Sequence, residues 1–158
     1  MIKKIVDLIN GFFKWILIIL FFLLVVVVFL QVLFRFVLEQ PLAWTEELGR
    51  YLLVWTTFLG AGYGMSVKAH PGVEILYDAF GPTVKKILNV VISILVIFFF
   101  WQIIVHSFDF IGRSMIQKSP VLQIPMGYIY TVIPISSVLF IINLLYVVIT
   151  EWKKEAKN

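Results

Sequence analysis

The sequence has no cysteine. That excludes a disulfide framework, a thiolate metal site and a cysteine nucleophile. Charge is sparse: Asp, Glu, Lys and Arg make up 14% of the 158 residues, and there are two histidines. No cluster has metal-ligand spacing, no glycine-rich loop is placed to cradle phosphate, and no nucleophile has a base beside it. An enzyme is therefore not expected, nor a cofactor. The net charge of +4 falls at the chain ends and in the loops. No basic stripe interleaves with aromatics, so nucleic acid is not an expected partner. What is abundant is apolar surface: 61% hydrophobic residues, 15 of them Phe, and a mean hydropathy of +1.02. A soluble domain of this length could not hide so much, and lipid is its natural solvent.

Crossing a hydrocarbon core of about 30 Å takes about 20 apolar residues in a helix. Four segments meet that length: roughly 15–36, 48–67, 87–111 and 128–149. The first is too long for a signal-peptide core, and no small-residue cleavage pattern follows it, so it reads as a retained span. The expectation is an all-α integral membrane protein, residues 1–158 forming a single four-helix domain. Nine of the 13 Lys and Arg lie before the first span, between the second and third, and after the fourth. Only Arg35, Arg50, Arg113 and Lys118 fall on the other side. The positive-inside rule then predicts cytoplasmic N- and C-termini.

Between the second and third spans, Pro71-Gly72 and Gly81-Pro82 bracket a segment in which Ile75, Leu76, Ala79 and Phe80 share one helical face. The pattern predicts a short interfacial amphipathic helix over about 73–80. No carboxylate sits at the midpoint of any span. A self-sufficient proton-coupled carrier needs such a group, so its absence argues against one. His106, Asp109 and Arg113 form a polar cluster near the outer end of the third span, with Asp109 and Arg113 at i, i+4. The cluster reads as an interfacial group in preference to a proton relay. Gly60 and Gly64 make a GxxxG, which favours close helix contact. Pro134 lacks an N–H and can kink the fourth span.

The stretch PLAWTEELGRYLLVW, residues 41–55, concentrates charge at the mouth of the second span. Thr45 is placed to cap the helix, with Glu46 and Glu47 in the first turn against the positive end of the dipole. Arg50 is spaced to pair with either acid, and Arg35 lies four residues before Glu39. Trp44, Leu48, Tyr51 and Trp55 fall on one stripe, and Trp and Tyr favour the interface. Interfacial anchoring and docking of another protein both fit this corner, whereas direct binding of an anionic solute does not.

These residues also carry a family likeness. QVLFRFVLEQPLAWTEELGRYLLVWTTFLGAGYG resembles the first half of the small, DctQ-like membrane subunit of tripartite ATP-independent periplasmic (TRAP) transporters, through Arg35, Pro41, Trp44, Glu46, Glu47, Arg50, Trp55 and Gly60. KAHPGVEIL is similar to that family's His-x-x-Val-acid element at His70, Val73 and Glu74. SPVLQIPMGYIYTVIP is similar to its second outer signature at Ser119, Pro120, Ile124, Pro125, Tyr130 and Pro134. The resemblance implies a multi-pass subunit in the bacterial inner membrane, in a system importing organic acids such as sialic acid or C4-dicarboxylates on a sodium gradient. It implies a large membrane subunit as heterodimer partner, carrying the sodium and substrate sites, and a periplasmic substrate-binding protein. Arg35, Trp44, Glu46, Glu47, Arg50, Trp55, Gly60 and Gly64 are then the candidate partner contacts. An autonomous small four-helix carrier and a membrane assembly or anchor protein are the alternatives.

Overall fold

The structure is a computed structural model that describes residues 2–67 and 81–155. Five helices account for most of them: α1 (Ile2–Phe36), α2 (Ala43–Ser66), α3 (Pro82–Ser114), α4 (Met126–Tyr130) and α5 (Val132–Glu155). Among the described residues there is no strand beyond one isolated bridge, Lys118 to Pro125. The predicted interfacial helix with Ile75, Leu76, Ala79 and Phe80, and the His70–Glu74 element, lie outside the described residues.

Among the described residues, three stretches are long and apolar enough to cross a membrane: Lys3–Phe36, Ile87–Ser114 and Met126–Thr150. The second expected span is helical but is not among them. α2 has 24 residues, about 36 Å of helix, yet it carries Glu46, Glu47, Arg50, three threonines and four glycines. Its position explains this composition. α2 packs against α1 on one side and α5 on the other, and α5 in turn holds α3. A helix facing protein on two sides needs less apolar surface and gains from small residues that let backbones approach. The flanking helices show the converse: 6% of the most apolar stretch of α1 and none of that of α3 is buried, against 39% of that within Met126–Thr150.

α1 begins well before the expected Trp15. No proline interrupts residues 2–14, and Val6 is buried, so the helix continues to Ile2. At the other end, Val37 and Leu38 both donate backbone N–H groups to the Leu33 carbonyl. Glu39 then turns the chain in a left-handed conformation, φ 53°. The helical i, i+4 relation of Arg35 to Glu39 is thereby lost, and Arg35 instead lies over the Phe36 ring, 5.7 Å from its centroid. The fourth expected span is divided at Thr131 into α4 and α5. Pro134 accounts for the break, since it has no N–H to offer the Tyr130 carbonyl one turn back.

Two close approaches fix the packing. A Cβ on Gly62 would stand 3.0 Å from the Ser136 carbonyl oxygen, so glycine lets α2 and α5 meet backbone to backbone. A Cβ on Gly127 would stand 2.8 Å from the Ile111 carbonyl oxygen, so α4 lies directly on the end of α3. Gly60 is different from the expectation of tight contact: its nearest neighbour would be a Leu17 methyl at 4.0 Å, and Gly64 is half-buried. Phe100 stacks on Phe140 and Phe110 on Tyr130, which seats α3 against α5 and α4.

Candidate partner-docking site

The charged corner at the start of α2 divides into an inward half and an outward half. α2 begins one turn earlier than the spacing suggested, at Ala43, with Leu42 as the N-cap residue and no side-chain cap. Thr45 is therefore not the cap. It is fully buried and its hydroxyl donates back to the Leu42 carbonyl at 2.6 Å.

Glu47 faces inward and is 5% exposed. The loop after α3 folds over it. Val121 donates its backbone N–H to Glu47 Oε2 at 2.7 Å, and Leu122 donates to both carboxylate oxygens at 3.4 Å. Two successive N–H groups converging on one anion form a nest. The Tyr51 hydroxyl adds a bond to Oε1 at 3.0 Å, and it also lies 3.4 Å from Met126 Sδ. The loop is pre-shaped for this. Ser119 donates its backbone N–H to the Ile124 carbonyl, and the Ile124 N–H donates to the Ser119 hydroxyl. Gln123 takes a left-handed φ of 56°, and its side chain donates to the Pro120 carbonyl. Burial alone would raise the pKa of Glu47, which lies just outside the 48–67 segment. Hydrogen bonds from Ser119, Val121, Tyr51 and Leu122 outweigh that and hold it below its ordinary value. Glu47 acts as a latch that ties the loop after α3 to α2.

Glu46 and Arg50 form the outward half. They pair at 3.3 Å with side chains 66% and 65% exposed. Trp44 is exposed and Trp55 half-buried, while Tyr51 of the same stripe is buried. Glu46, Arg50 and Trp44 thus offer a partner a charged and aromatic surface that Glu47 does not. Arg35 points from the preceding helix end.

A second polar constellation was not legible as a unit in the sequence. Asn143 is fully buried and exchanges side-chain amide bonds with Asn10, at 2.7 and 2.9 Å. It also donates to the Gly62 carbonyl at 2.9 Å. One residue of α5 thereby clamps α1 and α2 together. Asn143 was visible as a polar residue in a span, but nothing in the spacing pointed to Asn10, 133 positions away. His106, Asp109 and Arg113 are exposed along α3. The His106 Nδ1 bonds the Gln102 carbonyl at 2.8 Å, and Asp109 and Arg113 form no ion pair. Among the described residues no group of three His, Cys, Asp or Glu is placed to hold a metal ion.

Comparison with known proteins gives this geometry a family. The chain is 26% identical over 139 residues to a TRAP transporter small permease protein of Haemophilus influenzae, covering 88% of this chain and 86% of that one. It is 32% identical over 123 residues to the ectoine TRAP transporter small permease protein TeaB of Halomonas elongata, covering 75% and 63%. It is 25% identical over 130 residues to the isethionate TRAP transporter permease protein DctMQ of Oleidesulfovibrio alaskensis, covering 77% of this chain but 20% of that longer protein. With the apolar helices described above, these relatives make it a multi-pass inner-membrane protein. The model of the tripartite ATP-independent periplasmic transporters, DctQ component, matches residues 24–154, and the chain belongs to that family.

Proposed function

We infer that this chain is the stationary scaffold subunit of a sodium-coupled TRAP importer, pairing with a large transport subunit and presenting Glu46 and Arg50 to the periplasmic substrate-binding protein. In this reading α2 crosses the membrane as a fourth span, sheltered between α1 and α5, with both termini cytoplasmic. The observation that carries it is the nature of the interior. Among the described residues the buried polar ones are Thr45, Glu47, five serines and Asn143, and the one charged member of that set, Glu47, is already engaged by the outer loop and Tyr51. Such an interior suits a brace better than a carrier, which must exchange ions or solute at mid-membrane. The sodium and solute sites then belong to the large subunit. The match to a fifth of the longer DctMQ protein supports that partnership. Relatives named for ectoine, isethionate, C4-dicarboxylate and sialic acid differ in solute while sharing this segment. Their variety supports specificity residing outside this chain, with an organic acid as the solute class.

The test is affinity purification in mild detergent after expression with the neighbouring genes. A large permease recovered at fixed stoichiometry is the expected result. A lone chain that moves solute in liposomes would overturn the reading and make His106 and Asp109 the residues to mutate.

A further inference from the structure

Two adjoining recesses lie along the seam of α1 and α2, the second also bordered by α5. One is a furrow of about 620 Å³, running from Lys14 to Val25 on α1 and from Tyr63 back to Thr56 on α2. Apart from Lys14, Thr56 and the Tyr63 hydroxyl its lining is apolar, and Gly60 deepens it by having no side chain. The other is a recess of about 320 Å³ closer to the α1 N-terminus. Its lining is far more polar than that of the furrow: Asp7, Asn10, Ser66 and Tyr146 stand there beside Val6 and Val67. Lys14 and Tyr63 line both, so the two cavities meet there. Among the described residues, neither Asp7 nor Lys14 has an ion-pair partner.

We propose that these recesses form one binding site for a glycerophospholipid whose headgroup carries a phosphate and a primary amine. The order of groups along α1 matches the order of groups along such a lipid. The apolar furrow extends about 16 Å from Lys14 toward Val25 and takes an acyl chain. Lys14, at the junction, meets the phosphate, which sits between chains and headgroup. Asp7, two turns and about 10 Å further out, meets the ammonium. Among the described residues the headgroup recess holds one cation and one anion, which match a zwitterion better than an anionic lipid, whose extra charge would face Asp7 unpaired. A primary ammonium can donate hydrogen bonds to Asp7, which a quaternary one cannot. The site is built by this chain alone, so it stands or falls separately from the pairing with a large subunit. With the termini cytoplasmic, the lipid would come from the inner leaflet.

The test uses the full chain reconstituted in phosphatidylcholine vesicles that contain a trace of phosphatidylethanolamine with a photoreactive acyl chain. Labelled peptides are mapped by mass spectrometry. Label is expected to concentrate on residues 14–25 and 56–63. Lys14→Gln should reduce it about tenfold, the effect of losing one charge-assisted hydrogen bond. Asp7→Asn should reduce labelling by the ethanolamine probe and leave labelling by a choline probe of the same acyl chain unchanged. Gly60→Leu should block the furrow without disturbing the helices, because its Cβ meets only Leu17 at 4.0 Å. Should that variant fail to fold, the two substitutions at exposed side chains still decide. Label spread evenly over α1 and α3, labelling indifferent to Lys14→Gln, or equal labelling by both headgroups would overturn the assignment. So would protection of the furrow by a second polypeptide in the intact complex with no lipid labelled.

Discussion

Replacing Asn143 by Leu keeps the branched four-atom side-chain skeleton and removes three interhelical hydrogen bonds: two to the Asn10 amide and one to the Gly62 carbonyl. Interhelical bonds in membrane proteins average about 0.6 kcal/mol, because the unfolded chain in lipid finds other partners. The expected loss is therefore about 2 kcal/mol, with no large cavity contribution. Asn10→Leu removes two of the same bonds and should cost about 1.2 kcal/mol by the same measure. If the two amides act as one clamp, the double variant loses no more than Asn143→Leu alone. The coupling is then about 1.2 kcal/mol, well outside the ~0.3–0.5 kcal/mol scatter of independent sites. Reversible unfolding in mixed micelles, followed by tryptophan fluorescence, measures all four corners of the cycle. Additive losses would refute the clamp, and a cost near zero for Asn143→Leu would refute its burial as well.

Gly62→Ala should destabilise by about 1–3 kcal/mol, the usual range for overpacking, since the new methyl meets the Ser136 carbonyl at 3.0 Å. Gly60→Ala, unhindered, should be neutral or gain up to ~1 kcal/mol of helix propensity, and both are read by the same unfolding assay. Gly127→Ala should lift α4 from the end of α3, because its Cβ falls 2.8 Å from the Ile111 carbonyl; hydrogen exchange of residues 126–130 would rise. The Glu47 pKa is lowered on folding, so its latch is at full strength above the unfolded value of 4.5 and is lost as pH falls through the folded one. Exchange at Val121 and Leu122, corrected for intrinsic rate, should stay flat down to about that pH and rise below it, whereas Glu47→Gln should show the raised exchange at neutral pH. Glu46→Lys breaks only an exposed pair, so it should reduce uptake while leaving subunit abundance unchanged if that corner docks the binding protein.

Helix positions were legible because apolar run length is a strong local signal, and α1, α3 and α5 follow from it. The ends were less so. The spacing of Thr45 before two acids reads as a cap, but Pro41 and Leu42 let the helix start at Ala43, and one turn of shift moves Thr45 into the core. That same shift separates Glu46 from Glu47, which sequence alone treats as equivalent. Adjacent helical residues point about 100° apart, so one acid reaches solvent and the other meets the loop 74 residues away. The glycines show the same limit. Gly60 and Gly64 have the spacing of a packing motif, yet Gly62 between them makes the close contact. Which face a helix turns to its neighbour depends on partners distant in sequence, and no single segment records them.

The two polar clusters divide a mechanical task. At one end of α2, Glu47 holds the loop that leads into α4 and α5. Nearer its other end, Gly62 and Asn143 hold α2 to α5 and, through Asn10, to α1. α2 and α5 are thus pinned at both ends, and relative sliding would break bonds at each. By contrast, no residue in the most apolar stretch of α3 is fully buried, and few in that of α1 are. Rigidity is concentrated in the central pair, and contact surface is left on the outer helices. A subunit that itself carried solute would need the opposite distribution, with a mobile interior and a sealed exterior. The proposed brace needs this one: a fixed spine, with flanks open to lipid and to partner helices.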